Sequence, residues 1–406
     1  MRILFITDNF PPETNAPASR TFEHAMKWAG MGHDVNVITC APNFPFGRVY
    51  DGYQNSIFQK EKMNGINVYR VWSYMTPNKG FIKRTLDFMS FMLSSISGSF
   101  IITRPDVVIA TSPQIFSAVA GYVVGKLKRC PFIFEVRDLW PEQILVVKAM
   151  KNNVVIRLLF RLARYLYHHA DRVVTVGEGY MEQVQAGYHV ADEQIDVIPN
   201  GILPEVFSKN GRRNKIRKQL GWDGKFVVLY LGTLGMSHKL ETVMETAALL
   251  KSSSKLIFPF VGDGAEKEKH LRMKKDKKLD NCLFYGMQPK EKVPEFYEAA
   301  DICVIPLLRC ELFRGNYPSK MFEAMAMECP IILSSDGYSR KLLDEARAGI
   351  SVPPEDPEQL AQGVQYLYRH PEKCLQMGIR GRKYVLENYN RKVMAELYLD
   401  VISKVA

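Results

Sequence analysis

The chain has no Cys-x-x-Cys pair: its seven cysteines are scattered at 40, 130, 282, 303, 310, 329 and 374. That scatter excludes a zinc ribbon and a disulfide framework, and reduced, packed thiols in a cytoplasm are expected. No apolar run reaches the roughly 20 residues that span a bilayer. The longest, Phe88 to Ile102, is broken by five serines and a glycine, so a transmembrane helix is not expected. The opening Met1-Arg2-Ile3-Leu4-Phe5-Ile6 reads as a buried strand and lacks the features of a signal peptide. HExxH, a Ser/His/Asp trio and an acidic cluster suited to Mg²⁺ are also missing, so neither a metal nor a cofactor is expected. The absence of Gly-x-Gly-x-x-Gly removes the main support for a nicotinamide enzyme.

What remains is ordinary globular composition, 47% hydrophobic and 24% charged over 406 residues, enough for two or three domains. The net charge of +11 is uneven, with 14 Lys/Arg against 6 Asp/Glu between Lys79 and Arg172. Within that segment Phe81, Lys83, Arg84, Phe88, Phe91 and Met92 have the composition of a helix lying on an anionic membrane face, or of a buried core helix. A second basic helix, Arg157 to Tyr165, favours the membrane. Nucleic acid is not expected as a partner, since the basic residues are dispersed and no binding motif accompanies them. The lysines from 267 to 278 read as a solvated helix face.

Short Val/Ile/Leu/Phe runs alternate with longer amphipathic stretches. Strands are expected at Ile3–Thr7, Asp34–Thr39, Val107–Thr111, Phe132–Val136, Arg172–Val176 and Ile195–Pro199. After Pro199-Asn200-Gly201 the rhythm restarts at Val227–Leu231, Lys255–Val261, Cys282–Tyr285, Ile302–Pro306, Ile331–Ser334 and Ile350–Pro353. Such alternation predicts an α/β fold of two doubly wound, Rossmann-like domains, 1–200 and 201–388, with a final helix over 389–406 packing back on the first. Folds of this kind bind ligands at the carboxyl edges of their strands.

Four motifs follow strands. The loop from Asp8 to Arg20 is rich in proline and leads into a helix, a rigid wall for an anionic group or simply a connection. In Arg137-Asp138-Leu139-Trp140-Pro141 the indole offers a platform for a sugar ring, and the Arg and Asp can hold hydroxyls or a phosphate; a surface ion pair is the alternative. Gly232-Thr233-Leu234-Gly235 before a helix, and Gly262-Asp263-Gly264 one strand later, permit close backbone approach to a ligand. In Arg314-Gly315-Asn316-Tyr317-Pro318-Ser319-Lys320-Met321-Phe322-Glu323, helix-start amides with Lys320 and Arg314 can neutralise a diphosphate. Glu323 there can accept both hydroxyls of a ribose, or serve as a surface carboxylate.

Together these pieces resemble, over essentially the whole chain, the retaining family 4 glycosyltransferases of the GT-B fold, in which two Rossmann-like domains face a central cleft. The similarity is greatest to the Arg-Asp-Leu-Trp-Pro branch that serves bacterial O-antigen, capsule and colanic acid assembly. Asn9-Phe10-Pro11-Pro12-Glu13, Gly32-His33-Asp34, Ile198-Pro199-Asn200-Gly201 and Pro318-Ser319-Lys320-Met321-Phe322-Glu323-Ala324-Met325 complete the match.

The resemblance implies transfer of a sugar from a nucleoside diphosphate, UDP by expectation and with N-acetylated amino sugars among the candidates. The acceptor would be a saccharide on a polyprenyl diphosphate at the cytoplasmic face of the membrane. It assigns the donor to Gly232, Thr233, His238, Lys239, Gly264, Arg314, Gly315, Ser319, Lys320 and Glu323. The acceptor goes to Glu13, Asn15, Ala16, Arg20 and Trp140, and catalysis to Arg137, Asp138 and Glu323. The chain departs from the family pattern in three respects: Gly315 replaces the first glutamate of Glu-x7-Glu, Thr233 and His238 stand where many members carry Arg and Lys, and Asn15-Ala16 replaces a glycine pair. A nucleotide-sugar epimerase and an inactive nucleotide-sugar binder are the alternative readings.

Overall fold

The computed structural model describes residues 1–44, 46–76, 81–146 and 154–406. They divide into two compact units, Met1–Pro199 with Arg391–Ala406, and Asn200–Asn390.

The first unit is built on β1 (Arg2–Ile6), β2 (Asp34–Cys40), β3 (Phe58–Met63), β4 (Ile66–Val71), β5 (Val107–Thr111), β6 (Phe132–Val136), β7 (Arg172–Thr175) and β8 (Ile195–Val197). Its sheet order is β3-β4-β2-β1-β5-β6-β7-β8. All neighbours run parallel except β3 with β4. The helices are α1 (Ala16–Gly30), α2 (Phe81–Ser99), α3 (Ile115–Lys128), α4 (Glu142–Val146), α5 (Val154–His169) and α6 (Glu178–Tyr188). The parallel strands other than β4 are the expected apolar runs, buried on both faces by helices. The hairpin β3–β4 was not expected. Its first strand, Phe-Gln-Lys-Glu-Lys-Met, has too little apolar character to read as buried, because it is an edge strand. Its turn, Asn64-Gly65, has positive φ at both residues, the geometry that a two-residue hairpin requires.

The second unit has β9 (Phe226–Leu231), β10 (Leu256–Val261), β11 (Cys282–Tyr285), β12 (Ile302–Pro306), β13 (Ile331–Ser334) and β14 (Gly349–Val352), in the all-parallel order β11-β10-β9-β12-β13-β14. Around it lie α7 (Arg213–Leu220), α8 (Glu241–Leu249), α9 (Lys267–Lys277), α10 (Val293–Ala299), α11 (Glu311–Arg314), α12 (Ser319–Ala326), α13 (Tyr338–Ala346), α14 (Pro357–Arg369) and α15 (Pro371–Asn388). Alternation along β9 divides the core. Val227, Leu229 and Leu231 join one cluster with Met321 and Phe322, while Val228 and Tyr230 join the other with Leu240 and Val243.

From the second unit the chain returns to the first as α16 (Arg391–Ser403). Tyr398 packs edge-on against Trp28 of α1, whose indole donates to the Ala395 carbonyl at 2.9 Å. Arg391 pairs with Glu23 at 2.7 Å in the interior.

Candidate active site

In the second unit the site grows from two glycine turns placed back to back. Gly232 follows β9 at φ +140° and Gly262 follows β10 at φ +141°, a region open in practice to glycine alone. A Cβ on Gly262 would lie 2.0 Å from the Gly232 carbonyl oxygen, and one on Gly264 would lie 2.4 Å from that of Leu234. Backbone bonds stitch the turns together: Gly232 N donates to Val261 O, Leu234 N to Asp263 O, and Glu266 N to Leu234 O. The glycines therefore serve first to let the turns meet, and they leave the Gly232 backbone open toward Lys320.

Lys320, second residue of α12, reaches Gly232, where a Cβ would stand 2.8 Å from its Nζ. The ammonium donates to the Tyr230 hydroxyl at 3.2 Å and sits 4.4 Å from the centre of that ring. It forms no ion pair among the described residues. Burial pushes its pKa down to about 8, opposed by the Cys303 thiol and the Glu323 carboxylate. Burial first, and the Lys320 charge second, hold His238 well below the ordinary imidazole range. One His238 ring nitrogen is buried without a hydrogen-bond partner. One helical turn beyond Lys320, Glu323 accepts from the buried Tyr297 hydroxyl at 3.1 Å. A half-buried ammonium with no ion-pair partner among the described residues, at a helix start, is suited to an anionic ligand.

Gly232, His238, Ser319, Lys320 and Glu323 are thus gathered around the start of α12. Thr233 is exposed and gives its carbonyl to the Tyr230 hydroxyl, and Lys239 adopts φ +44°. The exposed Arg314 side chain is paired with Glu311 at 3.0 Å. It lines a cavity of about 330 Å³ with Arg309, Cys310, Phe313, Ser335 and Asp336. Gly315 is buried, and beside it the Arg314 carbonyl would be 2.2 Å from a Cβ on Gly337.

In the first unit, Ser112 shapes the turn after β6, its hydroxyl accepting from the amides of Arg137 (2.9 Å) and Asp138 (3.3 Å) and donating to the Asp138 carbonyl (2.9 Å). Arg137 is buried, and its Nε and Nη1 have no hydrogen-bond partner. Burial lowers its pKa to about 10 despite Glu135 and Asp138. Two orphaned donors on a buried guanidinium are costly unless a ligand takes them. Around Arg137 stand carboxyls that burial pushes upward: Asp138, held by Gln143, and Asp8 after β1, which feels both Arg137 and Arg84. Asp87 of α2 is raised to about 6 and accepts from Ser73 at 2.8 Å. Asp8 and Asp87 were missed in the sequence, although Asp8 stands just beyond a strand's carboxyl end, where the edge rule points.

The remaining candidates lie as follows. Arg20, 1% exposed, is interior scaffolding: it pairs with Glu135 at 2.7 Å and donates to the carbonyls of Ile198 and Pro199. Glu13 is also buried, and its carboxylate accepts from the amides of Asn43 and Phe44; burial raises it to about 7. Asn15 caps α1 through Ala18 N at 2.9 Å, leaving Ala16 exposed. Trp140 is half-buried and packs on Ile144, Ile156 and Leu159. On α2, Phe91 is fully buried and Phe88 and Met92 are half-buried, because that side packs on α3, β2 and β4. Arg84 lies over the Phe88 ring, under the influence of Asp8 and Asp87. The outward stripe is instead Ile82, Leu86, Met89 and Leu93, up to 74% exposed, with Lys83 exposed beside it. The side chain of Phe81 lies outside the described residues.

Comparison with known proteins adds the family. Residues 16–201 match the glycosyl transferase 4-like domain, and residues 212–384 match glycosyl transferases group 1. The colanic acid biosynthesis glycosyl transferase WcaI of Escherichia coli K12 is 27% identical over 377 residues, 90% of this chain and 91% of that protein. Among solved structures, sucrose-phosphate synthase from Thermosynechococcus elongatus superposes with a TM-score of 0.82 at 18% identity, covering both chains fully. HepE of Anabaena, in complex with UDP and glucose, superposes at 0.75 with 15% identity and full coverage of both.

Proposed function

Because the chain belongs to the GT-B glycosyltransferases of family 4 and is related to enzymes of bacterial polysaccharide biosynthesis, we propose that it transfers a sugar, with retention, from a UDP-sugar to a lipid-linked saccharide. The observation that carries this reading is Lys320: a half-buried ammonium without an ion-pair partner among the described residues, against a glycine turn and one helical turn from Glu323. The UDP in the HepE complex supports a uridine nucleotide.

In this reading the diphosphate meets Lys320, the first amides of α12 at Ser319, and the Gly232 backbone, while Glu323, steadied by Tyr297, accepts from the ribose hydroxyls. As the bond from the sugar to the diphosphate oxygen breaks, its electron pair goes to that oxygen, and Lys320 with the α12 dipole stabilises the charge. The acceptor hydroxyl attacks from the side of departure and passes its proton to the departing phosphate. Arg137 offers its two unpartnered N–H groups to sugar or acceptor hydroxyls, with Asp138 and Asp8 as acceptors. No divalent ion takes part in the transfer.

The acceptor half of the proposal is supported by the outer faces of α2 and α5, both packed on α3. Ile82, Leu86, Leu93, Val154 and Leu158 stand more than half exposed beside Lys83, Arg157, Arg161 and Arg164. Apolar residues interspersed with cations suit an anionic lipid surface, and no described helix is long and apolar enough to cross a membrane.

The test is nucleotide release from a panel of UDP- and GDP-sugars in EDTA, with and without extracted polyprenyl-diphosphate saccharides. Release from one UDP-sugar, accelerated by the lipid fraction, is expected. Release from GDP-sugars alone, or only with added metal, would overturn the donor and the metal-free step.

A further inference from the structure

The second unit carries a cluster that the transfer chemistry does not use. Glu241 opens α8, Glu266 immediately precedes α9, and His270 lies four residues further, so that Glu266 and His270 share one helical face. One ligand atom from each, two carboxylate oxygens and an imidazole nitrogen, lie within 4.8 Å of one another. We propose that Glu241, Glu266 and His270 form a zinc-binding site.

Two carboxylates alone would be no more than a charged surface; His270 makes the difference. It is 1% exposed, yet neither ring nitrogen has a hydrogen-bond partner. Its nearest carboxylate oxygen, on Glu241, is 4.0 Å away, too far for a hydrogen bond. An imidazole left so in the interior is costly, and a metal bond to one ring nitrogen removes part of that cost. One imidazole with two carboxylates suits Zn²⁺, whereas Mg²⁺ and Ca²⁺ favour oxygen ligands throughout. Tetrahedral Zn²⁺ bonds of about 2.0–2.2 Å place ligand atoms about 3.3–3.6 Å apart, so a small closing of rotamers completes the set. Water fills the fourth position.

A cation already tests the place. The Lys269 ammonium bridges Glu266, at 2.7 Å, and Glu241, while its side chain is half exposed. It can swing into solvent and yield its position to the metal, so Lys269 is a built-in competitor. The metal would also tie the two glycine turns from behind, since Glu266 N already donates to the Leu234 carbonyl.

The experiment titrates the metal-stripped full chain with Zn²⁺, and with Co²⁺ followed by its visible d–d absorption, and reads affinity and thermal unfolding. One equivalent of Zn²⁺ should bind, at least about tenfold more weakly in His270→Ala and at least about tenfold more tightly in Lys269→Met; the factor of ten corresponds to about 1.4 kcal/mol. If His270→Ala does not fold, Lys269→Met and Glu241→Gln decide, the first tightening and the second weakening. Binding of Zn²⁺ that is absent, or unchanged in Lys269→Met and Glu241→Gln, overturns the site whatever the donor sugar proves to be.

Discussion

Replacing Lys320 by methionine separates the cost of a binding group from its use. The stem is kept, so packing beside Tyr230 changes little, and only the ammonium is lost. Burial holds this lysine at about 8, against an ordinary value of 10.5, a difference equivalent to about 3 kcal/mol. Its sign follows from proton binding: between about 8 and 10.5 the unfolded chain holds more protons than the folded one, so the lysine destabilises the free protein fully below about 8 and ceases to do so above about 10.5. Lys320→Met should therefore leave the free protein equally or more stable at pH 7, by up to about 3 kcal/mol. The same change removes a charge-assisted contact to a diphosphate, on the order of 1.5–3 kcal/mol or roughly 10- to 150-fold in affinity. In the wild type, UDP affinity should fall as pH rises past about 8. Urea unfolding and UDP calorimetry at pH 7 and 9 check both halves. A variant that is less stable when free and binds UDP unchanged would refute the argument.

Further outcomes follow from the same geometry. Glu323→Gln should keep the fold and weaken UDP binding by on the order of 1.5–3 kcal/mol, measured by calorimetry. Arg137→Gln should leave UDP affinity as it is and lower turnover at least about tenfold, as losing a transition-state hydrogen bond does, read by nucleotide release. Arg20→Met should cost about 3–5 kcal/mol in urea unfolding, because it strands the buried Glu135 carboxylate. Leu86→Glu with Leu93→Glu should reduce sedimentation with anionic vesicles without loss of secondary structure, whereas Phe91→Glu, at a buried position, should unfold the protein.

The strands were legible because parallel strands covered on both faces are nearly pure Val/Ile/Leu/Phe, and all twelve expected runs hold a strand. The edge hairpin was not, although Asn64-Gly65 was there to be read; β3 is polar at four of its six residues because it is an edge strand that meets water. At the candidate site the glycine turns and the start of α12 could be found from the strand-turn-helix pattern alone. The partners could not. Tyr230 is 90 residues from Lys320, and Glu135 is 115 from Arg20, and a single sequence gives no sign that such groups meet. Hence Arg20, standing in a loop-to-helix segment full of plausible ligands, read as an acceptor contact when it is a buried brace. The same lack of depth misassigned Phe91: composition identifies an amphipathic helix, but which side is covered depends on α3.

The most direct test of the donor site is the shift in unfolding temperature produced by UDP, GDP and ADP, at matched concentrations in EDTA, for the wild type and Glu323→Gln. Stabilisation by UDP above the other two, largely lost in Glu323→Gln, is the predicted result. Equal shifts for all three nucleotides, or a UDP shift that Glu323→Gln leaves intact, would contradict a uridine nucleotide seated at α12.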